Sequence, residues 1–217
     1  MKNKKLVFSF IVILLALFIG ATYLFNQNQK SKLEGFSKKD EAPFVRENAI
    51  SFGENKANVV VVEFFDPECE SCQAFYPAVK EVYKQYYKDI KLVIRYLANH
   101  KNSAYIIKVL EATRLQNKYL ESLEVIFKYQ PLWANHNDPQ PELVWQYLPE
   151  AGLDMKKLKE DFLKLDVSLL IKEGFKDAKA LGVRGTPTFF VNGKELKELS
   201  YQALLNLVEK EIFEKEK

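Results

Sequence analysis

Hydrophobic positions divide the chain into three regimes. The first is an unbroken apolar stretch from Leu6 to Phe25, 20 residues without a charge, preceded by Lys2, Lys4 and Lys5. At 1.5 Å rise per residue such a helix is about long enough to cross a ~30 Å hydrocarbon core. The second, residues 26–42, is polar and lysine-rich, with no helical or strand period up to about Asp40, and reads as a tether. The alternative for it is a short stalk helix that oligomerises the protein. The third, residues 43–217, carries the periodic patterns of a folded domain.

In that domain Val59-Val60-Val61-Val62-Glu63-Phe64-Phe65 is a β-branched, nearly continuous apolar run, which predicts a central strand buried on both faces. It ends at Asp66-Pro67, and a helix is expected from the following cysteine pair to about Tyr87. A second strand is expected at Lys91–Leu97. Together they form a βαβ unit with two cysteines at the start of its helix. Near the other end Thr188-Phe189-Phe190-Val191 is a short apolar strand. Asn192-Gly193 predicts a two-residue hairpin turn into a strand at Lys194–Leu196. Ser200 then caps an amphipathic helix bearing Leu204, Leu207, Val208 and Ile212.

Between these ends, about residues 102–182, the pattern is helical throughout. Asn102 or Ser103 can cap a helix bearing Ile106, Leu110 and Leu115, and a second carries Leu120, Leu123, Ile126 and Phe127. Pro141 opens one bearing Val144, Trp145 and Leu148. Asp154 opens another, and Asp166 a longer one ending near Leu181. The chain therefore reads as a βαβ–ββα frame with an inserted helical subdomain.

Composition narrows the function classes. Of 217 residues 47% are hydrophobic and 28% charged, enough apolar material for a core without disulfide staples. The net charge of +3 is small and the lysines are spread over helix faces, so a solvated surface is expected and nucleic-acid binding is not. Cys69 and Cys72 are the only two cysteines, in Cys69-Glu70-Ser71-Cys72. Three positions apart, they cannot staple a fold, and His100 and His136 show no zinc-ligand spacing to them. Both histidines read as surface or loop residues, and no metal or other cofactor is expected.

The phrase VVVVEFFDPECESC, followed late in the chain by Gly185-Thr186-Pro187-Thr188, resembles the DsbA-like branch of the thioredoxin superfamily from about Pro43 to the C-terminus. The chemistry of that resemblance suits the positions. A cysteine at a helix N-terminus meets unpaired N–H groups and the positive end of the dipole, which favour its thiolate. Cys72, one turn along, can attack a mixed disulfide and release the substrate. Glu63 lies six residues before Cys69 in the apolar strand, and the resemblance gives it the role of relaying the proton of the second cysteine. The alternative is an edge glutamate in solvent. Arg95 on the neighbouring strand is its expected counter-charge. The resemblance also implies that Pro187 is cis and faces the dithiol, with the Thr186 backbone offering hydrogen bonds to a substrate chain. Pro77 is expected to kink the first helix.

Two positions depart from the strongest oxidants of the family. They carry a histidine next to the second cysteine, where this chain has Glu70-Ser71, and Thr186 before the proline is shared with isomerase-like and reductase-like relatives. The expectation is a milder thiol–disulfide oxidoreductase acting on cysteines of exported proteins, as oxidase or isomerase, served by a membrane redox partner that reoxidises or reduces the dithiol. The alternatives are an extracytoplasmic thiol reductase and a non-enzymatic metal-binding or chaperone-like module. The expected architecture is a thioredoxin-like α/β domain preceded by an N-terminal transmembrane helix, with the domain on the periplasmic side of the cell membrane. Lys30, Lys32, Lys38 and Lys39 beyond the span leave its orientation unsettled by charge counting. The side is taken from the usual export role of a single N-terminal span. If the segment is instead a cleaved signal, the domain would be soluble in the periplasm.

Overall fold

The structure is a computed structural model that describes Gly20, residues 44–46 and residues 49–214. The tether, and the Leu6–Phe25 stretch apart from Gly20, lie outside the described residues. Among the described residues no helix is long and apolar enough to cross a membrane. Residues 1–42 and 43–217 form separate units, and the fold below is that of the second.

Five strands make one mixed sheet: β1 (Ile50–Phe52), β2 (Val59–Phe65), β3 (Ile90–Tyr96), β4 (Thr188–Val191) and β5 (Lys194–Glu195), in spatial order β1-β3-β2-β4-β5. The expected central strand is β2, parallel to β3 on one side and antiparallel to β4 on the other. Its β-branched residues suit burial on both faces. β1, antiparallel to β3, was not foreseen, because three residues are too short to show a period. At the β4–β5 turn Asn192 and Gly193 both take positive φ, 47° and 79°, as a tight hairpin turn requires.

Helix α1 (Glu70–Tyr86) connects β2 to β3, with Pro77 inside it. The inserted subdomain contains α2 (Ser103–Arg114), α3 (Tyr119–Lys128), the short α4 (Gln130–Trp133) and α5 (Val144–Tyr147), α6 (Met155–Lys164) and α7 (Ser168–Leu181). The expected insertion at about 102–182 is therefore present. Asp154 caps α6 by accepting from the Lys156 and Lys157 N–H groups, both at 3.0 Å. Asn102 precedes α2 without a side-chain capping bond of its own. The segment that Pro141 opens is helical as expected, a 3-10 turn (Pro141–Leu143) running into α5 and then a second 3-10 turn (Leu148–Ala151), so it bears Val144, Trp145 and Leu148 without being one regular α-helix. The last helix, α8 (Tyr201–Phe213), is capped as expected by Ser200, whose Oγ accepts from the Ala203 N–H at 3.2 Å.

Period-two alternation gives the sheet two different faces. Val61, Phe65, Leu92, Ile94 and Phe189 join the core shared with α1, α8 and the insertion. The other face carries Phe64, Phe190 and Arg95, the last bonded to Asp177 of α7. A Cβ on Gly174 of α7 would collide with the Tyr96 carbonyl oxygen, so a glycine there permits the close crossing of α7 over the end of β3.

Candidate active site

The site forms where β2 turns into α1. Cys69 is the N-cap of α1, in extended conformation at φ −74° and ψ 121°. Its N–H donates to the Asp66 carbonyl at 3.1 Å, and its own carbonyl accepts from Gln73 N–H at 3.1 Å. Gln130, buried on α4, donates from Nε2 to the Pro67 carbonyl at 3.0 Å and the Cys69 carbonyl at 3.2 Å. The cysteine turn is thus held from the strand, the helix and the insertion together.

Both cysteines are thiols in this structure. Cys72 is 1% exposed and Cys69 7%. The chain around Thr186 covers Cys69, with its Sγ 3.3 Å from the Thr186 carbonyl oxygen. The Thr186–Pro187 peptide bond is cis.

The two sulfurs differ sharply in acidity. As a thiolate, Cys69 accepts first from the Cys72 thiol, then from Thr186 and from the backbone N–H groups of Cys72 and Ser71. These bonds outweigh the opposing effect of burial and bring its pKa down to about 5. Cys72 moves the other way, pushed far up by burial, by donating to Cys69, and by the negative charges of Glu63 and Cys69. One sulfur is therefore built to be an anion at neutral pH and its neighbour to keep its proton.

Glu63 lies mid-strand on β2, 6% exposed, on the face that meets the dithiol helix. Burial, then the charge of Cys69, pushes its pKa up to about 8, so the carboxyl is mostly protonated at neutral pH. The pairing with Arg95 expected from the sequence is corrected. The parallel register sets Glu63 opposite Ile94 and Arg95 opposite Phe64, so the two point to opposite faces. Arg95 instead pairs with Asp177, which also binds Arg46 at 2.6 Å.

Glu70 and Ser71 sit in the first turn of α1. The Glu70 carboxylate is drawn toward His136, 3.1 Å from its Nε2, with both side chains largely exposed. Sequence reasoning missed three residues that shape the site. Asp66, fully buried, accepts from Glu68 N–H at 2.9 Å, Asn99 N–H at 2.7 Å and His100 Nδ1 at 2.8 Å. Glu68 accepts from Asn102 N–H at 2.7 Å and so ties the dithiol turn to the start of α2. Gln130 is the third. An Asp closing an apolar strand was the one available signal, and it was read only as a turn.

The comparisons agree with this geometry. A family model described as thioredoxin matches residues 46–210, three quarters of the chain. The chain belongs to the thioredoxin family. Among curated relatives, this thioredoxin-family chain is 26% identical over 198 residues to a Rickettsia prowazekii protein named "Putative protein-disulfide oxidoreductase", covering 80% of this chain and 68% of that one. It is 28% identical over 151 residues to a Na(+)/H(+) antiporter NhaA of Herminiimonas arsenicoxydans, covering 70% of this chain and 23% of that protein. The chain thus spans about a quarter of one relative and two thirds of the other. Among solved structures, the thiol-disulfide exchange protein alpha-DsbA2 of Wolbachia pipientis superposes with a TM-score of 0.68 at 17% identity, over 86% of this chain and 97% of that one. At that identity the match speaks for the fold, a DsbA-like thioredoxin fold with its helical insertion.

Proposed function

We propose that this chain is a protein-disulfide oxidoreductase that oxidises or reshuffles cysteines of exported proteins through the Cys69–Cys72 dithiol. The observation that carries the reading is the asymmetry of the two sulfurs: Cys69 at the helix N-terminus with its pKa down to about 5, Cys72 buried with its pKa raised. The name of the Rickettsia relative supports the same class.

In the oxidising direction a substrate thiolate attacks Cys69 Sγ of the Cys69–Cys72 disulfide. The new bond joins substrate sulfur to Cys69, the old disulfide breaks, and its electron pair leaves on Cys72. A sulfur so unwilling to carry charge needs a proton, and the protonated Glu63 is its nearest source by this reading. A second substrate thiolate then attacks the substrate sulfur, forming the substrate disulfide and releasing Cys69 as a stable thiolate. The enzyme gains two electrons, which a membrane redox partner removes. For this step the backbone of Thr186, whose carbonyl lies 3.3 Å from Cys69 Sγ, and the cis Pro187 that follows it hold the extended substrate. Residues 1–25 anchor the domain on the extracytoplasmic side of the cell membrane.

The test is oxidative folding. The oxidised full-length chain should form disulfides in a reduced, unfolded protein, and Cys69→Ser should abolish this. If its reduction potential is as low as the thioredoxin value of about −270 mV, the alternative of a thiol reductase takes its place, and if the disulfide form cannot be made, the non-enzymatic alternative does.

A further inference from the structure

The dipeptide between the cysteines offers no positive charge, yet an imidazole from another part of the chain is held on Asp66, three residues before Cys69, near enough to feel the charge of Cys69. Asp66 and Cys69 belong to one turn, the Asp66 carbonyl accepting the Cys69 N–H at 3.1 Å. The Asp66 carboxylate, 0% exposed, binds the Asn99 N–H at 2.7 Å, the His100 N–H at 3.3 Å and the His100 ring at 2.8 Å through Nδ1. Glu68, immediately before Cys69, binds Asn102 twice, at 2.7 and 2.9 Å. Residues 99–102 are therefore sewn along residues 66–68, with the imidazole between the two segments. Donation from Nδ1 to Asp66 fixes the ring and leaves Nε2 for a second proton. The ring is 37% exposed, so it exchanges protons with solvent.

We propose that His100, oriented by Asp66, is a positioning residue that supplies the positive charge beside the Cys69 thiolate and makes the protein more oxidising while that imidazole is protonated. This rests on the reading of Cys69 as the reactive thiolate. Burial alone would lower the ionisation of His100, but Asp66, then Cys69 and Glu68, outweigh it and raise it. Glu63 and Cys72 adjoin Cys69 within the core. Glu70 meets His136 on the outside. Lys101 follows His100 in the chain, and Lys179 and Arg184 line a groove with Asn99. Of the groups named, His100 is the imidazole bound to the Asp66 carboxylate. A purely structural role needs only a donor to Asp66, which three backbone N–H groups already serve.

The experiment follows the Cys69 thiolate absorbance against pH, and the equilibrium with glutathione at neutral pH, in the full-length chain, His100→Gln and His100→Lys. Gln keeps a donor without charge, and Lys restores charge without a neutral-pH titration. Gln should raise the Cys69 midpoint by about half a unit and move the glutathione equilibrium about threefold toward the disulfide form, which is about 15 mV. Lys should restore both. The gap between wild type and Gln should close as pH rises through the ionisation of the imidazole. An unchanged midpoint in Gln, or a Lys variant that behaves like Gln, overturns the proposal while leaving the dithiol reading intact. A wild-type chain with no reversible dithiol–disulfide equilibrium removes both.

Discussion

Cys69 Sγ and the carbonyl oxygen of Thr186 lie 3.3 Å apart, although 117 residues separate them in the chain. The contact joins the two motifs that were recognisable in sequence, and it covers the sulfur with the backbone that is proposed to bind substrate. Thr186 also hydrogen-bonds the thiolate form. Thr186→Val keeps the carbonyl and removes the hydroxyl, so the Cys69 pKa should rise by about one unit, a tenfold loss of thiolate stabilisation. Thiolate absorbance of the reduced protein against pH checks this, and an unmoved midpoint would remove Thr186 from the group that stabilises the sulfur.

Glu63 should show itself in the pH dependence of turnover. With its pKa pushed up to about 8 by burial and by Cys69, it holds a proton at neutral pH and loses it above about pH 8. The wild-type rate of substrate oxidation should fall through that region as the donor for Cys72 is lost. Glu63→Gln cannot supply the proton, so it should be slower at neutral pH by about tenfold or more and lack that descending limb. Stopped-flow rates for both proteins decide the matter, and parallel profiles would return Glu63 to a structural role.

Cys72→Ser should accumulate mixed disulfides between Cys69 and substrate proteins, because the buried resolving sulfur is gone. Non-reducing gels of cells expressing this variant report the adducts. Adducts that require Cys69→Ser instead would reverse the roles of the two sulfurs.

What was legible in the sequence follows the range of each signal. Cys69, Cys72 and the Gly185-Thr186-Pro187-Thr188 phrase are local patterns, and β2 announced itself through an apolar run too dense for a surface strand. The insertion was readable from helical periods, including the Val144–Tyr147 helix α5, though the four-residue α4 was not. Arg95 was assigned to the wrong partner because no local pattern encodes the register between two strands, and a shift of one residue reverses the face. Asp66, His100 and Gln130 act through bonds reaching 34 residues to the segment after β3 and 61 and 63 residues to α4. Such bonds leave no periodic trace.

Behind the sheet, Asp177 compensates two guanidinium groups, and Arg95 among them is only 4% exposed. Asp177→Asn removes the negative charge that compensates Arg95 and Arg46 and should cost about 3–5 kcal/mol of stability, measured by urea unfolding at neutral pH. Burial alone would raise the pKa of Asp177, but the hydrogen bonds and charges of Arg46 and Arg95 prevail and hold it below the ordinary carboxylate value. Its contribution is therefore full above the ordinary carboxylate pKa and lost as pH falls through the lowered value. The wild-type advantage over Asp177→Asn should shrink in acid, and an advantage that persists there would mean packing rather than charge.

The central claim is that Cys69 is an anion at neutral pH while Cys72 remains a protonated, buried thiol. The most direct measurement is the rate of iodoacetamide alkylation of each cysteine in the reduced full-length chain against pH, resolved by peptide mass spectrometry. The account predicts modification confined to Cys69, with a rate midpoint near pH 5 and Cys72 unmodified across the neutral range. A Cys69 midpoint at the free-thiol value of about 8.5, or faster reaction at Cys72, would contradict it.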